Sequence, residues 1–291
     1  MPVQKQKAKS FAFFLIHLMY NNRISEKINS AEDLLKQPVE TFFLSFYPAN
    51  HLVSHGLGHH RRVWEYAKEL LLNAAIPTEI IDKELIFNII TACYFHDIGM
   101  SADPGKRHGA LGRKLCTEFL NSCNLSITGF KDALEAIEYH DDKDYLSHPE
   151  DNYVLDILSV ADDIDAFGTI GIYRYSEIYL KRRISIRDIG WMIIKNAESR
   201  FENLEKRIKL SPEFKMKHRN RYNYLLDFFR EYNAQLNSYD FCTPSPTGYC
   251  GIIQILANYD IREFSNIPDK YSKDPFITDF FINLSSENEF I

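Results

Sequence analysis

The sequence predicts an all-α fold. Apolar residues recur mostly at three- and four-residue spacing, which is the period of an amphipathic helix. Alternating runs of β-branched residues are few, and the 291 residues include only 12 Gly and 11 Pro. A chain of this length can bury a sizeable core, and its composition argues against a disordered or collagen-like protein.

The predicted helices follow one another without a long linker. Thr78, after Pro77, is the expected N-cap of one helix, and Gly99 is the glycine expected after the end of the same helix. The clearest break is the stretch 243–248, and no definite element is predicted beyond it. The predicted helices cover residues 10–21, 30–46, 57–75, 79–97, 108–123, 130–140, 151–167, 172–183, 187–209 and 212–238.

Composition and charge narrow the class of protein. The formal net charge of −6 argues against a protein that coats nucleic acid. The five Cys include no Cys-x-x-Cys pair, which indicates a reduced, cytoplasmic protein. The apolar stretch 11–20 follows three lysines and loosely imitates a secretory leader. It contains His17 and is too short to span a membrane, so it is predicted to be an N-terminal helix packed on the body.

Three groups of His and Asp residues carry the chemical signal. They lie in the stretches 54–63, 93–99 and 160–168. In the second stretch, His96 or Asp97 continues an apolar helical stripe, and in the third stretch Asp162 continues another. A carboxylate in such a position is costly to bury unless it has a partner, and a metal cation is one such partner. His60 is predicted to lie on a helix surface, while Asp163 and Asp165 are predicted to cap or solvate a helix end.

The ordered pattern resembles the HD superfamily of metal-dependent phosphohydrolases. Its parts are His59-His60-Arg61-Arg62-Val63, then His96-Asp97, then Ala161-Asp162-Asp163-Ile164-Asp165. The resemblance implies an HD-domain helical bundle with additional N- and C-terminal helices. The expected division is an N-terminal extension over 1–48, the core over 49–185 and a C-terminal helical region over 186–291 that packs on the core. By the resemblance, the metal ligands are His59, His96, Asp97 and Asp162.

Two further histidines leave the number of metal ions open. His108 and His140 stand between His96-Asp97 and the last Asp, in the order seen in dinuclear members of the superfamily. In that interpretation Asp97 bridges two ions, with His108 and His140 on the second. In the alternative, the two histidines bind substrate phosphate or a water molecule. The expected cofactor is one or two ions of Mn, Fe, Co, Ni, Zn or Mg.

The remaining site residues are assigned around this centre. Asp97 is expected to accept a proton from the attacking water. Arg62 follows His59 by three residues and either orients a ligand or forms a structural salt bridge. His55 and Arg174 fall in segments that resemble one branch of the superfamily. The residues assigned to catalysis are Asp97, Arg62 and Arg174, and those assigned to substrate binding are His55, Lys106, Arg107, Arg113 and Arg174.

The resemblance implies hydrolysis of a phosphate ester or anhydride by a metal-activated water, as a phosphomonoesterase or phosphodiesterase. The expected substrate is a nucleotide or another small phosphorylated molecule. Two alternatives stay open: a di-iron oxygenase of the same superfamily, and a non-catalytic regulator that binds nucleotide or metal. The aromatic-rich C-terminal third either covers the pocket or forms a homo-oligomer interface.

Overall fold

The computed structural model describes residues 2–46, 52–74, 76–77, 79–102, 105, 107–141, 152–258, 266–271 and 273–289, with side chains from 22 to 287. Within these residues the chain is helical and forms no strand, which confirms the predicted class. None of the helices described there combines the length and apolarity needed to cross a bilayer. The helices are α1 Pro2–Phe46, α2 Leu57–Asn73, α3 Lys83–Phe95, α4 His108–Ser122, α5 Lys131–Tyr139, α6 Tyr153–Asp165, α7 Gly168–Lys181, α8 Ile189–Arg207, α9 Pro212–Gln235, α10 Gly248–Asn258, α11 Ile267–Lys270 and α12 Pro275–Glu289.

The N-terminal region forms one helix, where the sequence predicted two. An apolar stripe at three- and four-residue spacing runs through the predicted break between residues 21 and 30. It consists of the buried residues Ile24, Ile28, Ala31, Leu35, Val39 and Phe43. This stripe packs α1 against α3 and α2, so tertiary burial stabilises a continuous helix. The predicted packing of residues 10–21 lies outside the described side chains.

A first core forms where α2 packs against α6 and α3, with α5 against both α3 and α6. Trp64 of α2 is fully buried at its centre. Its indole Nε1 donates to Glu32 Oε1 of α1 at 2.7 Å, and Lys68 Nζ donates to the same oxygen at 2.9 Å. The buried indole N–H is therefore satisfied, and α1 is fixed to the central helices.

A second core begins at α7. This helix packs against α9, α10 and α12, and α8 packs against α9. Phe228, Phe229 and Tyr232 of α9 lie at its centre. The region beyond the break at 243–248 therefore contributes α10 and α12 to this core. The predicted domain boundaries at 48/49 and 185/186 stay predictions.

Helix α3 is shorter at both ends than the predicted helix 79–97. The helix begins at Lys83, because Asp82 Oδ1 accepts the N–H of Leu85 at 2.8 Å and caps it. The proposed cap Thr78 lies outside the described residues. Gly99 lies four residues after Phe95, the last residue of α3, and its φ is not positive. A Cβ at Gly99 would lie 2.1 Å from the carbonyl oxygen of His108, so the glycine lets α4 approach.

Helix α7 begins four residues before its predicted start. Gly168 supplies a positive φ of 74° at the bend after α6. The backbone N–H groups of Thr169 and Ile170 then donate to the Glu287 carboxylate of α12, at 3.3 and 3.0 Å. A carboxylate from the far end of the chain thus satisfies the first donors of α7.

Candidate metal centre

Helix ends bring the candidate ligands together. His59 lies in the first turn of α2, and His108 is the first residue of α4. His96 and Asp97 directly follow α3, and His140 directly follows α5. Asp162 lies in the last turn of α6. All are buried or nearly so.

The first cluster contains His59, His96, Asp97 and Asp162, whose ligand atoms all lie within 4.8 Å of one another. The Nε2 atoms of His59 and His96 are 3.0 Å apart. Asp97 Oδ2 lies 3.4 Å from the first nitrogen and 3.5 Å from the second. Asp162 Oδ1 lies 3.7 and 4.0 Å from the same two atoms. Two imidazole nitrogens and two carboxylate oxygens therefore converge on one point.

The second cluster shares Asp97 with the first. Its other oxygen, Oδ1, lies 3.1 Å from Nε2 of His140 and 3.4 Å from Nε2 of His108. These two nitrogens are 3.3 Å apart. Asp97 thus presents one carboxylate oxygen to each pair of histidines, which is the arrangement expected of a bridging ligand.

The outer ring nitrogens of three of these histidines are held by the backbone. Nδ1 of His96 lies 3.0 Å from the carbonyl of Cys93, that of His108 lies 2.6 Å from Gly105, and that of His140 lies 2.9 Å from Ile137. In each case the acceptor is the carbonyl three residues earlier. A carbonyl only accepts, so each Nδ1 carries the proton, and in the neutral ring Nε2 keeps its lone pair.

The fourth ligand histidine is held by a side chain. Nδ1 of His59 lies 2.8 Å from Asp165 Oδ2. Arg62 Nε donates to Asp165 Oδ1 at 2.6 Å. The pair Asp165–Arg62 therefore fixes the orientation of the His59 ring, as outer partners of metal-bound histidines do.

The electrostatics of the clusters favour bound cations. Burial alone would raise the pKa of Asp97, but His96, His140 and His59 hold it well below its usual range. Burial lowers the pKa of His96 to about 3, so its ring is neutral. The Nε2 atoms of His96 and His59 are 3.0 Å apart, a distance at which two lone pairs repel unless a cation or proton lies between them. The donor set fits a divalent metal ion of borderline or hard character.

The model of the HD domain family matches residues 56–166. This segment contains all the candidate ligands of both clusters. Residues 56–166 form an HD domain. HD domains belong to a superfamily of metal-dependent hydrolases, and the His/Asp clusters are placed to hold metal.

A solved structure shares the fold of this chain. It is a crystal structure of a protein from Lactobacillus plantarum, at 17% sequence identity and a TM-score of 0.53. The similarity covers 70% of this chain and 97% of that chain. A comparison with curated proteins finds no match.

A cavity of about 660 Å³ opens over the two clusters of the HD domain. The HD-domain side contributes Asp97, His108, His140 and Asp162. The opposite side is formed by α7 and α8, beyond the matched segment. The cavity is several times larger than a phosphate group, so it can also hold the organic part of a substrate.

His55 and Arg174, two of the predicted substrate-binding residues, line this cavity. Arg174 Nη2 lies 3.1 Å from Asp162 Oδ1, 3.3 Å from His59 Nε2 and 3.5 Å from His55 Nε2. Burial lowers the pKa of His55 well below its ordinary value, and the Arg174 guanidinium adds to this effect. A neutral imidazole and a guanidinium thus stand beside the first cluster.

Helix α7 also holds the turn that carries His55. The carboxylate of Glu177 accepts the backbone N–H groups of Val53 and Ser54 at 3.1 and 2.8 Å. Ser54 Oγ lies 2.8 Å from Nδ1 of His55. The position of His55 therefore depends on α7.

Of the other predicted cationic residues, the three that the structure describes do not line the cavity. Arg62 is buried against Asp165 and acts on the site through His59. Arg113 is largely exposed and pairs with Glu138, and it is Glu138 that lines the cavity. Arg107 is exposed and is not a lining residue. Lys106 lies outside the described residues.

Three neighbouring residues were assigned wrongly. His60 is fully buried, with Nδ1 3.0 Å from the Cys93 carbonyl, and not on a helix surface. Asp165 is also fully buried, where it binds Arg62 and His59. Asp163 is buried and accepts from Asn203 Nδ2 at 2.6 Å. The sequence of a consecutive pair of His or Asp residues does not show which member faces the core, because that depends on how the helix is rotated about its own axis. The three errors have this origin.

Arg200 of α8 is a site residue that the sequence analysis missed. Its Nη1 donates to Asp162 Oδ2 and Asp163 Oδ1, both at 2.8 Å. Burial would lower the pKa of this guanidinium, but Asp162, Tyr175 and Asp163 raise it well above its ordinary value. Arg200 lies outside every matched motif and 38 residues from Asp162, and no local signal marks it.

Proposed function

We propose that this protein is a metal-dependent phosphohydrolase with a two-ion centre, acting on a nucleotide or another small phosphorylated molecule. The observation that carries the proposal is the Asp97 carboxylate, which offers Oδ2 to His59 and His96 and Oδ1 to His108 and His140. The outer nitrogens of all four histidines are occupied, which orients every Nε2 inward.

In this proposal, His59, His96, Asp97 and Asp162 would hold the first ion, and Asp97, His108 and His140 would hold the second. Bound divalent ions supply Lewis-acid activation of water and stabilise charge on a phosphoryl group. Because both of its oxygens face the clusters and its pKa is held well below the usual range, Asp97 serves to hold the ions and not as the proton acceptor expected from the sequence. Arg174 carries positive charge beside the first cluster, where it stabilises negative charge that develops on the phosphoryl oxygens. Arg62 positions His59 through Asp165 and does not touch the substrate.

The test is a substrate screen with defined metals. Purified full-length protein is supplied with Mn, Fe, Co, Ni or Mg and assayed for phosphate release from nucleoside mono- and diphosphates, cyclic nucleotides and generic phosphodiesters. We expect metal-dependent release that Asp97→Ala abolishes together with the bound metal. The control Asp227→Ala removes an exposed carboxylate of α9 and leaves both unchanged. No release with any metal, with metal retained in Asp97→Ala, contradicts the proposal.

The same preparation separates the two alternative functions. Oxygen consumption by the iron-loaded protein in the presence of a candidate substrate, without phosphate release, identifies an oxygenase. Stoichiometric metal binding with neither reaction identifies a regulator. The carboxylate bridge is common to hydrolase and oxygenase, so the chemistry is decided by turnover and not by metal content.

A further inference from the structure

Helix α8 presents two side chains to the cavity from outside the matched family segment. Asn196 and Arg200 stand four residues apart, on the same face of the helix, and both line the cavity. They lie beside Asp162, to which Arg200 is bonded. Helix α8 therefore contacts a ligand residue of the first cluster directly.

The orientation of the Asn196 amide is fixed by its neighbours. Its Oδ1 accepts from the hydroxyl of Tyr175 at 2.8 Å and from Nε of Arg200 at 3.2 Å. Because the guanidinium Nε can only donate, the amide oxygen must face Arg200. The Nδ2 group, with two N–H donors, is left on the other side, and no acceptor for it occurs among the residues that the structure describes.

Arg200 is held in the same way. Asn196 fixes its Nε, and the carboxylates of Asp162 and Asp163 fix its Nη1. Its Nη2 has no acceptor within the described parts of the chain. The side chain lines the cavity and is 17% exposed, so Nη2 can donate to a ligand there.

We propose that Asn196 Nδ2 and Arg200 Nη2 form a subsite that binds an anionic oxygen of the substrate next to the first metal cluster, an inference that rests on the proposed phosphohydrolase function. A guanidinium and an amide N–H together suit a phosphate oxygen, because charge-assisted hydrogen bonds to phosphate are short and strong. The oxygen belongs either to the phosphoryl group at the metals or to a second phosphate attached to it.

The decisive variant is Asn196→Asp. The carboxylate keeps the size of the side chain and can still accept from Tyr175 and Arg200, but it replaces the donor with negative charge. The control Ser199→Asp adds the same charge to an exposed position on the same helix. The manganese-loaded full-length proteins are titrated with inorganic phosphate by calorimetry, and bound manganese is measured afterwards.

We expect Asn196→Asp to weaken the binding of pyrophosphate, or of both phosphate and pyrophosphate, by at least about tenfold, the scale of one charged hydrogen bond, with bound manganese unchanged. Ser199→Asp is expected to stay within about twofold of the wild type. A parallel titration with pyrophosphate distinguishes the two oxygen sources. Equal weakening for both ligands assigns the subsite to the phosphoryl group at the metals, and weakening for pyrophosphate alone assigns it to a neighbouring phosphate.

The inference is overturned if Asn196→Asp binds both ligands like the wild type, if Ser199→Asp weakens binding equally, or if the wild type binds neither. Should Asn196→Asp fail to fold, Arg200→Lys is judged by the same criteria, because it keeps a cation near Asp162 and Asp163 but removes Nη2. The proposed function can fail separately. Phosphate binding without turnover of any substrate leaves the subsite inference in place. Turnover, with wild-type binding of both phosphate and pyrophosphate in the variants, removes only the subsite.

Discussion

At the scale of single residues, one carboxylate organises the centre. Asp97 lies between two pairs of histidines and faces each pair with a different oxygen. No other carboxylate in the described residues belongs to both clusters. Substitution of Asp97 therefore affects both clusters, whereas substitution of another ligand affects only one.

His108→Ala is expected to reduce the metal content from two ions per chain to one. The reason is that His108 belongs only to the second cluster, and the first keeps all its ligands. Asp97→Ala is expected to lose both ions. Elemental analysis after dialysis against trace metal measures the content. A His108→Ala protein that still holds two ions would show that the second cluster is not a metal site.

Asp165→Asn is expected to weaken metal binding about 10- to 100-fold, the usual effect of losing an outer partner of a ligand histidine. The amide is uncharged, so it attracts the His59 ring and the Arg62 guanidinium less strongly than the carboxylate does. Chelator competition measures the dissociation constant. Asp156→Asn is the matched control, because it lies on the same helix and pairs with Arg207 away from the cavity. Equal effects of the two substitutions would contradict the role assigned to Asp165.

At the scale of elements, the distance between α3 and α4 sets the spacing of the second cluster. Gly99 follows α3 and lies directly against the first residue of α4. The side chain of that residue, His108, is one of the second-cluster ligands. A methyl group added at Gly99 must push α4 away from Asp97.

Gly99→Ala is expected to lose the second ion and to lower the free energy of unfolding by roughly 1–3 kcal/mol, the cost of overpacking. The control is Gly129→Ala, where a Cβ meets nothing within 4 Å. Urea unfolding and elemental analysis provide the two measurements. If Gly99→Ala retains two ions and wild-type stability, α4 does not depend on this close contact.

The contact of α9 with α2 contains a histidine that cannot easily be charged. His218 packs between Phe214 and Tyr66, with ring centroids 4.4 and 5.8 Å away. Neither ring nitrogen has a hydrogen-bond partner among the described residues. Burial, together with Arg221 and Lys217, lowers the pKa of His218 to about 3.

This histidine is expected to make the protein sensitive to acid. The unfolded chain takes up a proton near the ordinary value of 6.5, whereas the folded chain resists it down to about pH 3. Stability from this group is therefore lost as pH falls below 6.5, by about 1.4 kcal/mol per unit. Between pH 7.5 and 5.0, the wild type should lose about 2 kcal/mol more than His218→Phe in urea unfolding. Parallel losses in the two proteins would contradict the assignment.

At the scale of the whole molecule, the cavity lies between two separately packed cores. The HD domain supplies the candidate metal ligands, while α7 and α8 supply Arg174, Asn196 and Arg200. The N-terminus of α7 is capped by α12, and α7 packs against α9, α10 and α12. The second core therefore supports the wall that faces the metal clusters.

A fragment ending at Ser185 is expected not to fold as a soluble monomer. The cut exposes apolar residues of α7 that are buried in the whole chain, including Ile170, Ile172 and Tyr173. Size-exclusion chromatography and thermal unfolding of the fragment, compared with the full chain, provide the test. A monomeric fragment that unfolds cooperatively would support the predicted boundary at 185/186.

The parts of this molecule that the sequence predicted are those with a local signal. His59, His96, Asp97 and Asp162 stand in short motifs, and His108 and His140 stand at predicted helix ends. Helical periodicity predicted the class but not the continuity of α1, which depends on packing against α3. The side of the cavity formed by α8 depends on a long-range approach, so Arg200 could not be found from its neighbours in sequence. The burial of Asp165 was missed because its partner Arg62 lies 103 residues away.

The attachment of the ligand histidines has a consequence for how this centre can change. His96, His108 and His140 are oriented by main-chain carbonyls, and a main-chain carbonyl is present whatever side chain its residue carries. A substitution of the residue that carries one of these carbonyls therefore leaves the hydrogen-bond acceptor of the histidine in place. His59 alone among them depends on a replaceable side chain, Asp165. Among the four ligand histidines, therefore, His59 is the one whose orientation can be adjusted by replacing an outer side chain, in evolution or in design.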